Sequence, residues 1–378
     1  MALTGEGADI YRSLGVRPII TASGSTTARG GSKLRPEVKA AMNATAGVMV
    51  DMAELNRRAG EVLARHTGAE AGFVSSGSAG GLILQSAAVV ARGDPALLAR
   101  LPDTTGMRNE IIIHKAHRFP YDQCLRATGA RFVEIGDGRR CRPWELEAAF
   151  SERTAAVAYL FSPFTTRNAL PLEHVVEVAH RHDVPVIVNA ASYLPPRANL
   201  RRFVAAGADM VIFSGGKSVR GPQGTGILVG RRDLIDAAFA AASPHQTFGR
   251  GLKVAKEEIV GLVKALEIFV AEDEAAETAR YRRMCEHARD ALADFDALTP
   301  TVVHDQRDYM IPHLLLHFPE RWNGPSRDAV FEALAKGDPP VFLHDIGPPN
   351  ELAVDPFNLD DEELEIVIRR LREVLSKG

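Results

Sequence analysis

The chain has 378 residues, 46% of them hydrophobic and 25% charged, with a formal net charge of -3. This is a folding composition, and it excludes a disordered segment, a collagen-like repeat and a disulfide-stapled miniprotein. The near balance of 45 basic and 48 acidic residues argues against a general nucleic-acid binder.

The start, MALTGEGADIYRSLG, lacks the basic and apolar regions of a secretory signal. Residues 1–45 read as an N-terminal arm, expected to pack on a small C-terminal domain. From Ala69 to Gly230, strand-like runs alternate with helical patterns. Ala71–Ser75, Glu110–His114, Arg131–Ile135, Ala155–Phe161, Val184–Asn189, Met210–Ser214 and Thr225–Val229 read as strands, and Gly80–Ala91, Arg142–Ala149 and Leu172–His182 as helices. Most of the strands are continuous apolar runs, the pattern of strands covered on both faces. Such alternation predicts an α/β fold with a mainly parallel central sheet, helices on both faces, and ligands at the carboxyl ends of the strands.

Residues 46–255 read as this large domain and 256–378 as a smaller α+β domain. Helical periodicity runs from Lys253 to Phe295 with a break expected near Ala271–Ala276. Strand-like Tyr309–Phe318, a turn at Lys336–Pro340, strand-like Val341–His344 and a helix from Asp361 to Ser376 follow, with Asp360 or Asp361 as its cap. Cys124, Cys141 and Cys285 are scattered with no C-x-x-C pair, so neither a zinc site nor a disulfide framework is expected, and a reducing cytoplasmic setting is. No apolar run reaches the roughly 18 residues a membrane helix needs.

Three features carry chemistry. In Asp209–Gly230, DMVIFSGGKSVRGPQGTGILVG, an apolar strand runs into Ser214-Gly215-Gly216 and then Lys217. A lysine just past a buried strand can be desolvated into a nucleophilic amine, although S-G-G-K by itself reads first as a surface lysine in a glycine turn. Ser75-Ser76-Gly77-Ser78-Ala79-Gly80-Gly81 joins a strand to a helix. Amides and hydroxyls at such a helix start cradle a phosphate, or the serine is simply a cap. The segment fits neither the P-loop nor the G-x-G-x-x-G pattern. Third, the strand Pro185–Val188 ends in Asn189, one helical unit before Lys217. A phosphate cup, a strand-end polar group and a strand-end lysine, in that order, are the parts of a pyridoxal phosphate site.

With these residues the chain resembles the fold type I pyridoxal-phosphate enzymes, in particular the selenocysteine-synthase-like group, whose members include ammonia-lyases. The likeness is carried by GVRPIITASGSTTARGG, LPDTTGMRNEIIIHKAHRFPYD, LFSPFTTRNALPLEHVVEVAHRHDVPVIVNAA, VIFSGGKSVRGPQGTGILVGR and GRGLKVAKEEIVGLVKALE. It implies pyridoxal 5'-phosphate as cofactor and Lys217 as the Schiff-base lysine. It also implies Ser76, Gly77 and Ser78 as the phosphate cup with Ser214 nearby, and His117 as the group packed on the cofactor ring, against the alternative of a helix-start or surface histidine. Arg220 and Gln223 are expected to touch the cofactor or a neighbouring subunit. Arg250 and Lys253 are candidates for an anionic substrate group, or members of a solvated basic face. Two positions depart from the pattern: Asn189 stands where relatives usually carry an aspartate, and Leu343 and His344 stand where relatives tend to have an arginine.

The activity implied is a lyase: α-proton abstraction and β-elimination from an amino acid or amino-sugar acid, giving a 2-oxo acid and ammonia. An amino-acid racemase or epimerase, with His117 or Tyr121 as a second acid/base, and a non-catalytic relative are the alternatives. The family-like motifs begin at Gly15–Ser23, so a tRNA-binding domain and nucleic-acid partners are not expected. A homodimer or larger homo-oligomer is, with Pro244–Lys253 reaching the neighbouring site.

Overall fold

The computed structural model describes residues 3–162, 168–305, 307–345 and 347–377. Its strands are β1 (Ile20–Ala22), β2 (Ala71–Ser76), β3 (Glu110–His114), β4 (Arg131–Ile135), β5 (Thr154–Leu160), β6 (Val186–Asn189), β7 (Met210–Ser214), β8 (Thr225–Gly230), β9 (Thr301–Val303), β10 (His313–His317), β11 (Val341–Leu343) and β12 (Glu351–Val354). The chain divides into two compact units, Leu34–Ala271 and Met1–Lys33 with Glu272–Gly378.

The larger unit is built on a seven-stranded sheet in the order β2-β8-β7-β6-β5-β3-β4. Neighbours from β7 to β4 are parallel, whereas β8 is antiparallel to both β7 and β2. Alternate residues of each strand enter two cores. Val186, Val188, Val211 and Phe213 join one, with helices 52–67, 172–181 and 256–271; Ile187, Met210 and Ile212 join the other, with helices 77–91 and 232–241. Burial on both faces is why these strands are continuous apolar runs rather than alternating ones. Each fully buried Val or Ile contributes about 1.5–3 kcal/mol of transfer free energy.

Several boundaries differ from those predicted. The helix expected from Gly80 begins at Gly77. Gly77 makes the turn itself at φ +61, while Gly81 lies inside the helix because a Cβ there would sit 2.4 Å from Ile212 Cδ1. The helix expected over 142–149 spans only Pro143–Glu147. Residues 34–45 and the helix 256–271 belong to the larger unit, so the divisions fall at 33/34 and 271/272 rather than at 45/46 and 255/256. The reason is packing: helix 36–46 lies on helix 256–271 so closely that a Cβ on Gly261 would approach Met42 Cγ to 2.8 Å.

In the smaller unit β10 pairs antiparallel with β9 and β12, and β1 pairs parallel with β11. Residues 3–33 are held there by that pairing and by Asn358, whose Nδ2 donates to the carbonyls of Gly24 (3.0 Å) and Gly31 (2.9 Å). The long helical pattern breaks between Ala271 and Glu274, where Asp273 caps the second helix. The strand expected over 309–318 is confined to His313–His317. Asp360 caps the last helix in a reciprocal box with Glu363, each accepting the other's backbone N–H at 2.9–3.0 Å.

Candidate active site

The strand register brings the predicted residues to one edge of the sheet. Asn189 at the end of β6 lies between Leu160 of β5 and Ile212 of β7. On β8, Gly226 pairs with Ser214 on one side and Ser75 on the other, and Thr225 pairs with Ser76. The carboxyl ends of β5, β6, β7 and β2 therefore share that edge, with the start of β8 between the lysine loop and the serine turn.

At the serine turn, the Gly77 N–H donates to Gly224 O at 2.8 Å and Ser75 Oγ donates to Gly77 O at 2.8 Å. Ser76 is the N-cap of helix 77–91 but makes no side-chain cap bond, and the first turn holds no acidic residue. The hydroxyls of Ser76 and Ser78 and the first-turn amides thus sit at the positive end of a 15-residue helix. Such a helix start can hold a dianion.

The lysine loop is closed by backbone bonds: Gly215 N–H to Thr225 O (2.9 Å), Gly221 N–H to Gly215 O (2.9 Å) and Arg220 N–H to Lys217 O (2.8 Å). Arg220 is half-buried at φ +57. A Cβ on Gly216 would lie 2.5 Å from Gln223 Cα, so glycine is required where the loop crosses itself. Lys217 Nζ donates to Ser192 Oγ. Burial lowers the lysine to about 8 from an ordinary 10.5.

Asn189 is half-buried and its Oδ1 accepts the Ala191 N–H at 3.1 Å. His117, 1% exposed, accepts the Leu160 N–H on Nδ1 at 3.3 Å and packs edge-on to Tyr159, ring centroids 4.5 Å apart. Burial, reinforced by His114, holds it far below the usual histidine range, hence neutral. It is not a surface residue. Leu82, Gln85, His117, Tyr121, Tyr159 and Asn189 line a cavity at this edge. Arg250 and Lys253 stay exposed on a segment whose Leu252 reaches the Gly80 position of helix 77–91; Arg250 Nη1 lies 3.5 Å from Ser243 Oγ. They are not gathered into the buried set.

Pyridoxal phosphate needs an anion cradle, an amine that loses its proton near neutrality and a flat enclosed platform with a polar end. Ser76–Ser78, Lys217, His117 and Asn189 have the chemistry for these parts, and the buried His117 Nε2 and Gln85 Oε1 have no partner among the described residues. The donor set fits the cofactor.

The family described as SelA: L-seryl-tRNA selenium transferase matches residues 31–300. The chain belongs to this family. It is 31% identical over 376 residues to D-glucosaminate-6-phosphate ammonia lyase of Salmonella typhimurium (strain 14028s / SGSC 2262), covering 97% of this chain and 98% of that one. It is 34% identical over 383 residues to 5'-C-glycyluridine monooxygenase-decarboxylase of a Streptomyces species, covering 98% and 93%. A solved D-glucosaminate-6-phosphate ammonia-lyase superposes with a TM-score of 0.85 at 31% identity over 97% of this chain and 98% of that one. The architecture is that of the fold type I pyridoxal-phosphate enzymes.

Sequence reasoning missed three polar residues of this edge. Ser192, the partner of Lys217, stands three residues past Asn189 in N-A-A-S, where a hydroxyl just beyond a strand end was the available signal. Gln85 is wholly buried within a helix made mostly of small and apolar residues. His114, last residue of β3, accepts the Leu170 N–H on Nε2 at 3.3 Å, while Tyr159 donates its hydroxyl to Leu170 O at 2.8 Å.

Proposed function

We propose that the chain is a pyridoxal-phosphate-dependent lyase that removes the α-proton and a β-substituent from an amino acid or amino-sugar acid, releasing a 2-oxo acid and ammonia. The observation that carries this reading is the amine of Lys217, desolvated to a pKa of about 8 beside an anion-binding helix start, in a chain alike over nearly its whole length to an ammonia lyase. The bound cofactor supplies an electron-withdrawing ring conjugated to the substrate's amine.

The residues divide the remaining work. Ser76, Ser78 and the first-turn amides of helix 77–91 hold the phosphate and fix the register of the cofactor. His117, neutral and braced by Leu160 and Tyr159, is a rigid platform that adds no charge. Lys217 would be the residue that holds the cofactor, and its amine would serve as the general base at the α-proton, because a group titrating near 8 both accepts and returns a proton near neutrality. Ser192 orients that amine by accepting its hydrogen bond. Ser214, Arg220 and Gln223 border the lysine loop, and Arg250 and Lys253 offer exposed cations for an anionic substrate group.

A second copy of the chain is the partner this reading calls for. The segment 244–253 exposes Pro244, His245, Gln246, Arg250 and Lys253, which suits a reach toward a neighbouring subunit; light scattering that shows a monomer under assay conditions removes this element. Among the described residues no helix is long and apolar enough to cross a membrane, and the cytoplasm is the proposed setting.

The test is a screen of amino acids and amino-sugar acids for coupled release of ammonia and 2-oxo acid, with oxygen uptake followed in parallel. Stoichiometric ammonia and oxo acid without oxygen uptake is expected. Solvent deuterium entering Cα with no oxo acid would select a racemase instead. Oxygen uptake with carbon dioxide release would align the chain with its Streptomyces relative.

A further inference from the structure

The cavity at the end of β6 contains an unusual balance of charge. Asn189 turns its Oδ1 to the Ala191 N–H at 3.1 Å, and that bond chooses the orientation of the amide. With the oxygen engaged, Nδ2 is the group Asn189 offers to the cleft, and it is a donor. Among the described residues, the other polar groups lining the cavity supply no free anion. Asp122 accepts from Arg118 Nε at 2.5 Å and from the Phe119 N–H at 3.3 Å, and lies 3.7 Å from Arg126. His117 is neutral, with Nδ1 accepting from Leu160. The Tyr159 hydroxyl keeps its proton, donates it to Leu170 O, and is pushed upward in pKa by burial. Gln85 is uncharged; its Nε2 donates to Val188 O at 3.3 Å, bracing β6 one residue before Asn189.

A ring nitrogen facing an N–H donor and no unpaired carboxylate loses what would hold a proton on it, because hydrogen bonding to the neutral form and the absence of an opposite charge both lower its pKa. We infer that Asn189 donates its Nδ2–H to the ring nitrogen of the cofactor and so holds that nitrogen unprotonated, with Gln85 as the positioning residue that braces the strand end. This rests on the pyridoxal-phosphate reading above and specifies it. A neutral ring withdraws electrons less strongly, so the site favours substrates whose β-substituent departs readily as the α-proton is taken.

The experiment is 15N NMR of the full-length holoenzyme loaded with pyridoxal phosphate labelled at the ring nitrogen. It is paired with borohydride reduction and peptide mapping of Lys217. The expected result is cofactor fixed on Lys217 and a resonance in the range of an unprotonated pyridine nitrogen, moving to the protonated range in Asn189→Asp. The unsubstituted enzyme alone decides the point, whatever the folding yield of the variant. A protonated-range resonance with cofactor on Lys217 overturns this inference and leaves the lyase reading intact. Failure to find cofactor on Lys217 overturns both.

Discussion

Lys217 donates a hydrogen bond from Nζ to Ser192 Oγ, joining the loop after β7 to the loop after β6. The serine oxygen favours the ammonium form, while burial favours the neutral amine, and burial prevails. Ser192→Ala removes the acceptor and leaves the burial, so the amine titrates lower still, by about half a unit to one unit. Reloading of apoprotein with pyridoxal phosphate, followed by its visible absorption against pH, is expected to shift its midpoint downward in Ser192→Ala. Lys217→Ala, in contrast, abolishes covalent attachment and turnover, and trapping at any other lysine by borohydride would remove Lys217 from its role.

The depressed pKa of Lys217 also has a sign in stability. Its folded value of about 8 lies below the ordinary 10.5, so the folded apoprotein binds fewer protons than the unfolded chain between those values. Stability attributable to this group therefore rises with pH across that window, and the cost of the buried charge is fully present below it. Lys217→Met removes the cost. Thermal midpoints of the apoproteins are expected to show the variant above the unsubstituted chain near pH 7 and the difference shrinking toward about pH 10.5. A constant difference would show that the amine is not desolvated in the folded apoprotein.

Much of this arrangement was legible in the order of residues. Strands buried on both faces announce themselves as unbroken apolar runs, and β3, β4 and β7 fall at the predicted residues. Lys217, Asn189 and Ser76 are candidates because each stands where an apolar run stops, and the strand register collects those stops at one sheet edge. What was not legible depends on packing between distant segments. The unit boundary at Ala271 follows from helix 36–46 lying on helix 256–271, a contact with no local signature. Gly80 and Gly81 look like helix breakers but sit inside the helix, where Gly81 admits Ile212. Gln85 reads as a stray polar residue until its neighbours are known to be Val188 and the cavity.

Gly216 precedes the lysine and has no room for a side chain. A Cβ there would meet Gln223 Cα at 2.5 Å and Gln223 O at 3.0 Å, which are backbone atoms that cannot rotate away. Gly216→Ala must open the loop that holds Lys217, at a cost of about 1–3 kcal/mol. The loop's displacement is expected to exceed its effect on the fold: cofactor retention in equilibrium dialysis falls at least about tenfold, matching 1.4 kcal/mol or more, while the far-ultraviolet circular dichroism is unchanged. Retention equal to that of the unsubstituted protein would mean the 216–223 crossing does not position the lysine.

The smaller unit contains a buried ion pair with its own pH signature. His313 (6% exposed) places Nε2 3.3 Å from Asp355 Oδ2 (8% exposed) and donates from Nδ1 to Ile311 O at 2.8 Å. Two acceptors on one ring call for the doubly protonated imidazolium. Burial opposes that charge, yet the Asp355 carboxylate outweighs it and raises His313 above 6.5, despite the neighbouring His344 ring at 5.8 Å. Burial likewise opposes ionised Asp355, and His313 overrides it, lowering the carboxyl below 3.8. The histidine's contribution is fully present below 6.5 and lost as pH rises through its raised value; the aspartate's is present above 3.8 and lost as pH falls through its lowered value. Asp355→Asn keeps the shape, including an oxygen for the Phe357 N–H now at 2.8 Å, but strands the imidazolium. The expected loss is about 3–5 kcal/mol near pH 6, declining as the pH is raised and the stranded ring becomes neutral in both proteins. Denaturant unfolding of both proteins from about pH 6 to 9 measures it, and a loss independent of pH would show that the pair is neutral in the folded chain.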